Sequence, residues 1–180
     1  MGEAHLRAIV AAPAATLGVA DHPRPARPAG AWWGWHGLHG GAGVSSLDRA
    51  VPGGHVFDVG DGHDTWPTLP VVAVVRSHAA GLQAARDFAA MIADSPGWFV
   101  LGLVVVADTP GRLPRDLERL VQLVSGGYPT LWRCPWVEEW RRGEPITPRN
   151  APRAYQQLLR ELIARTGMGA ALQERTANTQ

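Results

Sequence analysis

Residues 32–47 read WWGWHGLHGGAGVSSL, and this stretch determines how the rest of the chain is interpreted. Its aromatic beginning, residues 31–36, is typical of a β-strand, because aromatic side chains are enriched in strands. A glycine-rich turn follows, and then a short helix predicted over about residues 45–51. In such a strand–turn–helix unit, successive backbone N–H groups point into one concavity beside the positive end of the helix dipole. The stretch therefore predicts a loop of the phosphate-binding type.

The charged part of a phosphate loop is missing from this stretch. The usual loop carries a lysine directly before its Ser or Thr, which reaches the terminal phosphates, and a hydroxyl that binds Mg²⁺. Here Val44 stands at the lysine position, followed by Ser45 and Ser46. No other lysine can substitute, because all 17 basic residues of the chain are arginines. The sequence predicts retained backbone geometry without the catalytic charge.

Residues 39–47, HGGAGVSSL, resemble the deviant phosphate loop of the MinD/ParA family of P-loop ATPases, Lys-Gly-Gly-x-Gly-Lys-Thr-Thr-Leu. In this resemblance His39 takes the place of the signature lysine, Val44 that of the catalytic lysine, and Leu38 replaces a glycine. The resemblance implies that any bound nucleotide would contact the following residues: His39, Gly40, Gly41, Ala42, Gly43, Val44, Ser45, Ser46 and Pro135.

A second similarity lies near the end of the chain. Residues 130–135, TLWRCP, and residues 143–146, GEPI, resemble the end of MinD-type proteins. There the last strand reaches a proline beside the adenine base, and a Gly-Glu-Pro turn leads into the final helix, which implies this place for Pro135. Asn150 is expected to cap the final helix, with Pro152 in its first turn. The apolar spacing of that helix predicts a face docked on a sheet, not a membrane anchor.

The middle of the chain alternates strands and helices. Residues 71–75 form an unbroken apolar run typical of a buried parallel strand, and Ser77 is a plausible cap for a helix over residues 79–93. Residues 99–106 repeat the strand, and Pro114 opens a helix to about residue 125. This alternation predicts an α/β fold with an open, mostly parallel sheet and helices on both faces. The resemblance to the ATPase family implies a P-loop NTPase-like, Rossmann-like three-layer architecture.

Composition and length set the domain organisation. The 180 residues are expected to form one degenerate P-loop NTPase-like domain over residues 30–166, with a disordered Ala/Pro-rich leader, residues 1–29, and a disordered tail, residues 167–180. The net charge of +1 gives no reason to expect nucleic acid or an anionic membrane as a partner. The single cysteine, Cys134, fits a reducing compartment and hence a cytoplasmic location, and no apolar run is long enough to span a membrane.

Three further features have a structural and a chemical interpretation. The acidic loop over residues 55–70 fits no calcium or zinc spacing, so a solvated turn is favoured over a metal site. Asp108 is the aspartate of an Asp-Thr-Pro that ends a hydrophobic strand, and this pattern resembles the magnesium-shell strand of the ATPase family. Its place in the chain order favours a turn residue. Cys134 is expected to be a buried apolar side chain, since no histidine is placed to activate it as a nucleophile.

The predicted function is that of a MinD/ParA-like pseudo-ATPase acting as a binding or assembly partner. ATP, and Mg²⁺ with it, would bind weakly or not at all, and the loop could equally be retained as a tight turn alone. The alternative is a divergent ATP-binding protein with slow hydrolysis in a partition or conjugative-transfer system. The candidate protein-partner surface consists of Trp132, Trp136, Trp140 and Arg141, although packing on the sheet accounts for them equally well. The resemblance also implies a homodimer across the nucleotide.

Overall fold

The computed structural model describes residues 30–57, 69–95 and 97–169. Five strands in this part form one open sheet, and every neighbouring pair is parallel. The strands are β1 Trp33–Gly37, β2 Gly54–Val56, β3 Val71–Arg76, β4 Val100–Val106 and β5 Leu131–Cys134. The helices are α1 Val44–Ala50, α2 Ala79–Ala93, α3 Arg115–Ser125, α4 Glu138–Arg141 and α5 Arg153–Thr166. The predicted α/β class, with a parallel open sheet, is confirmed.

The strands are arranged in the order β2-β1-β3-β4-β5. The chain therefore moves from β1 outward to the edge strand β2, returns to β3 on the other side of β1, and then continues in one direction. β3 and β4 are buried along their lengths, apart from partial exposure at Arg76, because helices cover both faces of the sheet. This explains the unbroken apolar runs of their sequences.

Two hydrophobic clusters pack on opposite faces of the sheet. One joins Trp33 and Trp35 of β1 to Leu47 of α1 and Leu158 and Leu162 of α5. The other joins the alternate residues of β3 and β4 to α2 and α3. The fold is thus three-layered, with α1 and α5 on one face and α2 and α3 on the other. The β1 side chains Trp33 and Trp35 are completely buried, so they are packing residues of the core.

A β-bulge in the pairing of β3 and β4 lies beside Gly102, a position that requires glycine. The pairing steps from Val71 opposite Val100 to Val72 opposite Gly102, so one residue of β4 is extra. A Cβ at position 102 would lie 2.5 Å from the carbonyl oxygen of Thr130 and 2.5 Å from the ring of Trp132. Only glycine fits beside β5 at this point.

Several local predictions need correction. α1 begins at Val44 and ends at Ala50, one residue earlier than expected at each end. The cap of α2 is His78, whose Nδ1 accepts a hydrogen bond from Gly81 N–H at 2.9 Å, while the expected cap, Ser77, is buried and its Oγ accepts from Asp108 N–H. Pro152 occupies the N-cap position of α5, because the Asn150 side chain instead closes the preceding turn through Thr147.

The predicted domain limits fall partly within the described residues. α5 ends at Thr166, where the domain was expected to end. The tail was predicted to be disordered from Gly167, yet Met168 packs against the cluster that contains Trp33. The leader, residues 1–29, the rest of the tail, residues 170–180, and residues 58–68 of the acidic loop lie outside the described residues.

Candidate functional site

The candidate site lies where the strand order reverses, between the neighbouring parallel strands β1 and β3. α1 follows β1 on one face of the sheet, whereas α2 follows β3 on the other. In open α/β sheets this arrangement leaves a crevice at the carboxyl ends of the two strands, and ligands bind in such crevices. The residues that reach this place are the glycine loop, defined as residues 38–43 after β1, and residues 76–78 after β3. The glycine loop therefore lies beside this crevice, at the carboxyl end of β1.

Two glycines give the loop its shape. Gly41 has φ +76° and Gly43 has φ +99°, a left-handed region that side chains with a Cβ rarely adopt. Gly43 occupies the N-cap position of α1, and its carbonyl oxygen accepts hydrogen bonds from Ser46 N–H and Leu47 N–H. Ala42 N–H donates to the carbonyl of His39 at 3.2 Å, which closes the turn. The tight strand-to-helix turn predicted from the sequence is formed.

Backbone amides at the beginning of α1 are unpaired. Within the described part of the chain, the N–H groups of Gly43, Val44 and Ser45 make no hydrogen bond, and Gly43 has no side-chain cap. The side chain of Ser45 is exposed. The start of a helix leaves such donors free by geometry alone, so they are available to solvent or to an anion.

A cation in contact with the loop was not anticipated from the sequence. Arg76, the last residue of β3, donates from Nε to the carbonyl of Gly41 at 3.2 Å and from Nη1 to the carbonyl of Ala107 at 3.0 Å. A Cβ at position 43 would lie 3.4 Å from its Nη2. The guanidinium therefore lies against the glycine loop and connects it to the end of β4. Its place after an apolar strand was visible in the sequence, but its partners depend on the strand order.

His39 is held by both ring nitrogens. Its Nε2 accepts a hydrogen bond from the backbone N–H of Arg76 at 3.1 Å, and its Nδ1 lies 2.9 Å from the carbonyl of Gly40. A carbonyl can only accept, so Nδ1 carries the proton and the ring is neutral. The ring also lies 4.9 Å from that of His78. His39 is thus a structural link between β1 and β3 and supplies no positive charge in this arrangement.

Val44 and Pro135 differ in their relation to the loop. The Val44 side chain packs on the core cluster beneath the loop, and its Cγ2 would be 2.9 Å from a Cβ at position 37. Pro135 follows β5, which is separated from β1 by β3 and β4, and its carbonyl accepts a hydrogen bond from the Tyr155 hydroxyl at 3.1 Å. The structure brings residues 39–43 together in the glycine loop and residues 44–46 into the first turn of α1. It places Pro135 farther along the same edge of the sheet.

Neither Asp108 nor Cys134 forms a chemical centre with its neighbours. Asp108 lies in a bend after β4, where its backbone N–H donates to Ser77 Oγ. Cys134 is buried, and burial raises the pKa of its thiol to about 12, which keeps it protonated at neutral pH. Among the described residues no group of three or more potential metal ligands comes together.

The proposed tryptophan surface is wrong at Trp132. That side chain is only 7% exposed, lies in the core, and donates from Nε1 to Glu161 Oε2. Trp140 packs edge-on against Tyr155, with ring centroids 5.0 Å apart. Trp136 precedes α4, so it does not share a helical face with Trp140 as expected. Arg141 is exposed, but the aromatic part of the predicted surface is divided between core packing and a loop.

Fold and site together define an open, parallel α/β protein with a glycine loop at its topological switch point. A sequence profile of DUF6668, described as a family of unknown function, matches residues 31–159. The chain belongs to this family, and the match spans the sheet, the glycine loop and the first half of α5. No curated protein and no solved structure matches the chain. In the described part of the chain, no helix has the length and hydropathy that a membrane crossing requires.

Proposed function

We propose that the protein is a MinD/ParA-like pseudo-ATPase, a binding or assembly partner in which nucleotide binding is weak or lost. The observation that carries the proposal is the charge around the glycine loop. Phosphoryl transfer depends on positive charge placed against the transferring phosphate, and loss of such a charge costs orders of magnitude in rate. Here Val44 packs on the core, His39 is neutral, and Arg76 is bonded to two carbonyls.

The proposal of a protein partner rests on the surface that the fold presents at the carboxyl end of the sheet. A rigid parallel sheet that presents an exposed loop and short connecting segments at one edge is suited to holding another molecule in a defined orientation. Arg141, which is exposed, and the partly buried Trp136 lie in such a segment, residues 135–142, after β5. Function in the cytoplasm, alone or as a homodimer, belongs to the same proposal.

The alternative is a divergent ATP-binding protein with slow hydrolysis. The unpaired amides of Gly43, Val44 and Ser45 favour it, because a phosphate group accepts hydrogen bonds from donors of this kind. Nη2 of Arg76 forms no hydrogen bond within the described residues and is a further donor near the loop. The two functions differ in one measurable property, which is saturable binding of MgATP by the unmodified protein.

The deciding experiment is calorimetric titration of the wild-type protein with MgATP and MgADP, together with an ATP hydrolysis assay. We expect no saturable binding in the micromolar range, no hydrolysis, and an oligomeric state, measured by light scattering, that MgATP does not change. Micromolar affinity with turnover would overturn the proposal and establish the alternative.

The variant Val44→Lys restores a lysine at the position that resembles the catalytic one, and Val44→Met is its uncharged control of similar length. Gain of MgATP binding in Val44→Lys and not in Val44→Met is expected, because the ammonium adds the missing point charge. Circular dichroism of both variants establishes that they are folded, since Val44 packs on the core. Equal behaviour of the two folded variants would contradict the assignment of position 44.

A further inference from the structure

The contacts of Arg76 connect the carboxyl ends of three neighbouring strands, β1, β3 and β4. Its backbone N–H donates to His39 on the loop after β1, its Nε to Gly41 in the same loop, and its Nη1 to Ala107 after β4. Gly41 and Ala107 therefore share one planar guanidinium, which presents its donors in a fixed fork. We refer to the two guanidinium hydrogen bonds as the Arg76 bridge.

Two neighbouring glycines, Gly81 and Gly43, leave room for these contacts. A Cβ at position 81, in the first turn of α2, would lie 2.5 Å from the carbonyl oxygen of Arg76 and 2.9 Å from Nε2 of His39. The glycine at this position lets α2 approach the end of β3 while His39 remains bonded to Arg76. At position 43 a Cβ would contact the guanidinium at 3.4 Å. Glycines thus occur on both sides of the residue that forms the bridge.

We propose that the Arg76 bridge is a built-in conformational lock that holds the glycine loop in its tight shape, with Gly41 and Gly43 at positive φ. Arg76, at the end of β3, thus fixes the loop from within the protein, a role that a bound anion would otherwise have. The carbonyl of Gly41 is bonded to the guanidinium, so the loop cannot reorient without losing a charge-assisted hydrogen bond. This inference rests on the proposed function only in naming nucleotide phosphates as the ligand that the bridge makes unnecessary.

Hydrogen exchange in the nucleotide-free protein tests the lock independently of any nucleotide affinity. The readout is the exchange rate of the hydrogen-bonded amides of residues 38–47, among them Leu38, Ala42 and Leu47. Arg76→Met removes the donors and keeps the apolar stem, and Arg76→Lys keeps the charge without the fork. Arg119→Met is the matched control, because that side chain is 79% exposed and lies on α3. Exchange in α5 reports whether each variant remains folded.

We expect exchange over residues 38–47 to be about 10- to 100-fold faster in Arg76→Met and several-fold faster in Arg76→Lys. Exchange in α5 should match the wild type, and Arg119→Met should match it throughout. Unchanged loop exchange in a folded Arg76→Met variant would overturn the proposal. If Arg76→Met does not fold, Arg76→Lys decides alone, and wild-type exchange there overturns it equally. Saturable binding of MgATP would contradict the proposed function and leave the exchange result standing.

Discussion

The indole Nε1–H of Trp132 donates a hydrogen bond to Oε2 of Glu161 at 2.7 Å and thereby joins the last strand to the last helix. Trp132 is buried, so removal of the acceptor leaves its N–H without a partner. We expect Glu161→Leu to lower the free energy of unfolding by about 1–3 kcal/mol. Glu161→Gln, which retains an acceptor oxygen, should cost less. Urea unfolding at neutral pH measures both, and equal losses would contradict this role of the hydrogen bond.

The same pair makes stability depend on pH. The hydrogen bond from Trp132, followed by one from Gln157, holds the pKa of Glu161 below its ordinary value of 4.5. A carboxyl whose pKa is lowered by folding stabilises the protein above its unfolded pKa, and this contribution is lost as the pH falls through the folded pKa. The unfolding free energy of the wild type should therefore fall more steeply below pH 4.5 than that of Glu161→Gln. Parallel pH profiles of the two proteins would exclude this linkage.

His39 and His78 are expected to carry their protons on different nitrogens. Nε2 of His39 accepts from Arg76 N–H, whereas Nδ1 of His78 accepts from Gly81 N–H. His39 is therefore the Nδ1–H tautomer, and neutral His78 is the Nε2–H tautomer. Long-range ¹H–¹⁵N correlation spectra above neutral pH distinguish the two, with His39→Ala and His78→Ala spectra for assignment. Identical tautomers would contradict the described link between β1 and β3.

Replacement of Gly81 by alanine should destabilise the protein. In an ordinary helix this change is favourable by up to about 1 kcal/mol. At this position the new Cβ would lie 2.5 Å from the carbonyl oxygen of Arg76, so the end of β3 or the start of α2 must move. We expect a net loss of about 1–3 kcal/mol by chemical unfolding. Gly40→Ala is the control, since no atom lies within 4 Å of its added Cβ, and a stabilised Gly81→Ala protein would refute the close approach.

The thiol of Cys134 should be inert in the native protein. Burial raises its pKa from 9.0 to about 12, so the thiolate is scarce at pH 8, and access is blocked as well. Reaction with an aromatic disulfide reagent is expected to be at least about 100-fold slower in the native state than in urea. Because the unfolded thiol ionises first, this group also favours unfolding as the pH rises from 9 towards 12. Rapid native labelling would show that the site is open.

The elements that could be predicted were those with a strong local signal. The apolar run of residues 71–75 and the amphipathic pattern of residues 79–93 predicted β3 and α2, because a buried parallel strand and a helix packed on a sheet require those patterns. The glycines of residues 37–43 likewise predicted the tight turn, since positive φ angles at Gly41 and Gly43 favour glycine.

What the sequence did not reveal depends on which strands are neighbours. Arg76 was an ordinary charged residue at the end of a strand until β3 was placed beside β1. Trp132 and Trp140 belong to a residue type that is enriched at interfaces, yet Trp132 is buried in the core and Trp140 is partly buried against it. The hydrophobic pattern indicates that an aromatic side chain is covered by another surface. Only the tertiary arrangement shows whether that surface belongs to the same chain or to another protein.

The parallel arrangement of the described strands has a consequence for how the chain folds during its synthesis. Parallel neighbours cannot be joined by a hairpin, so each pairing waits for a distant segment. His39 and Arg76, which meet beside the glycine loop, are separated by 37 residues. During synthesis, β1 and its two buried tryptophans therefore cannot pair with β3 until β3 has left the ribosome. Folding should be slow for a domain of this size, and the nascent chain before that moment is the species most exposed to aggregation and to chaperones.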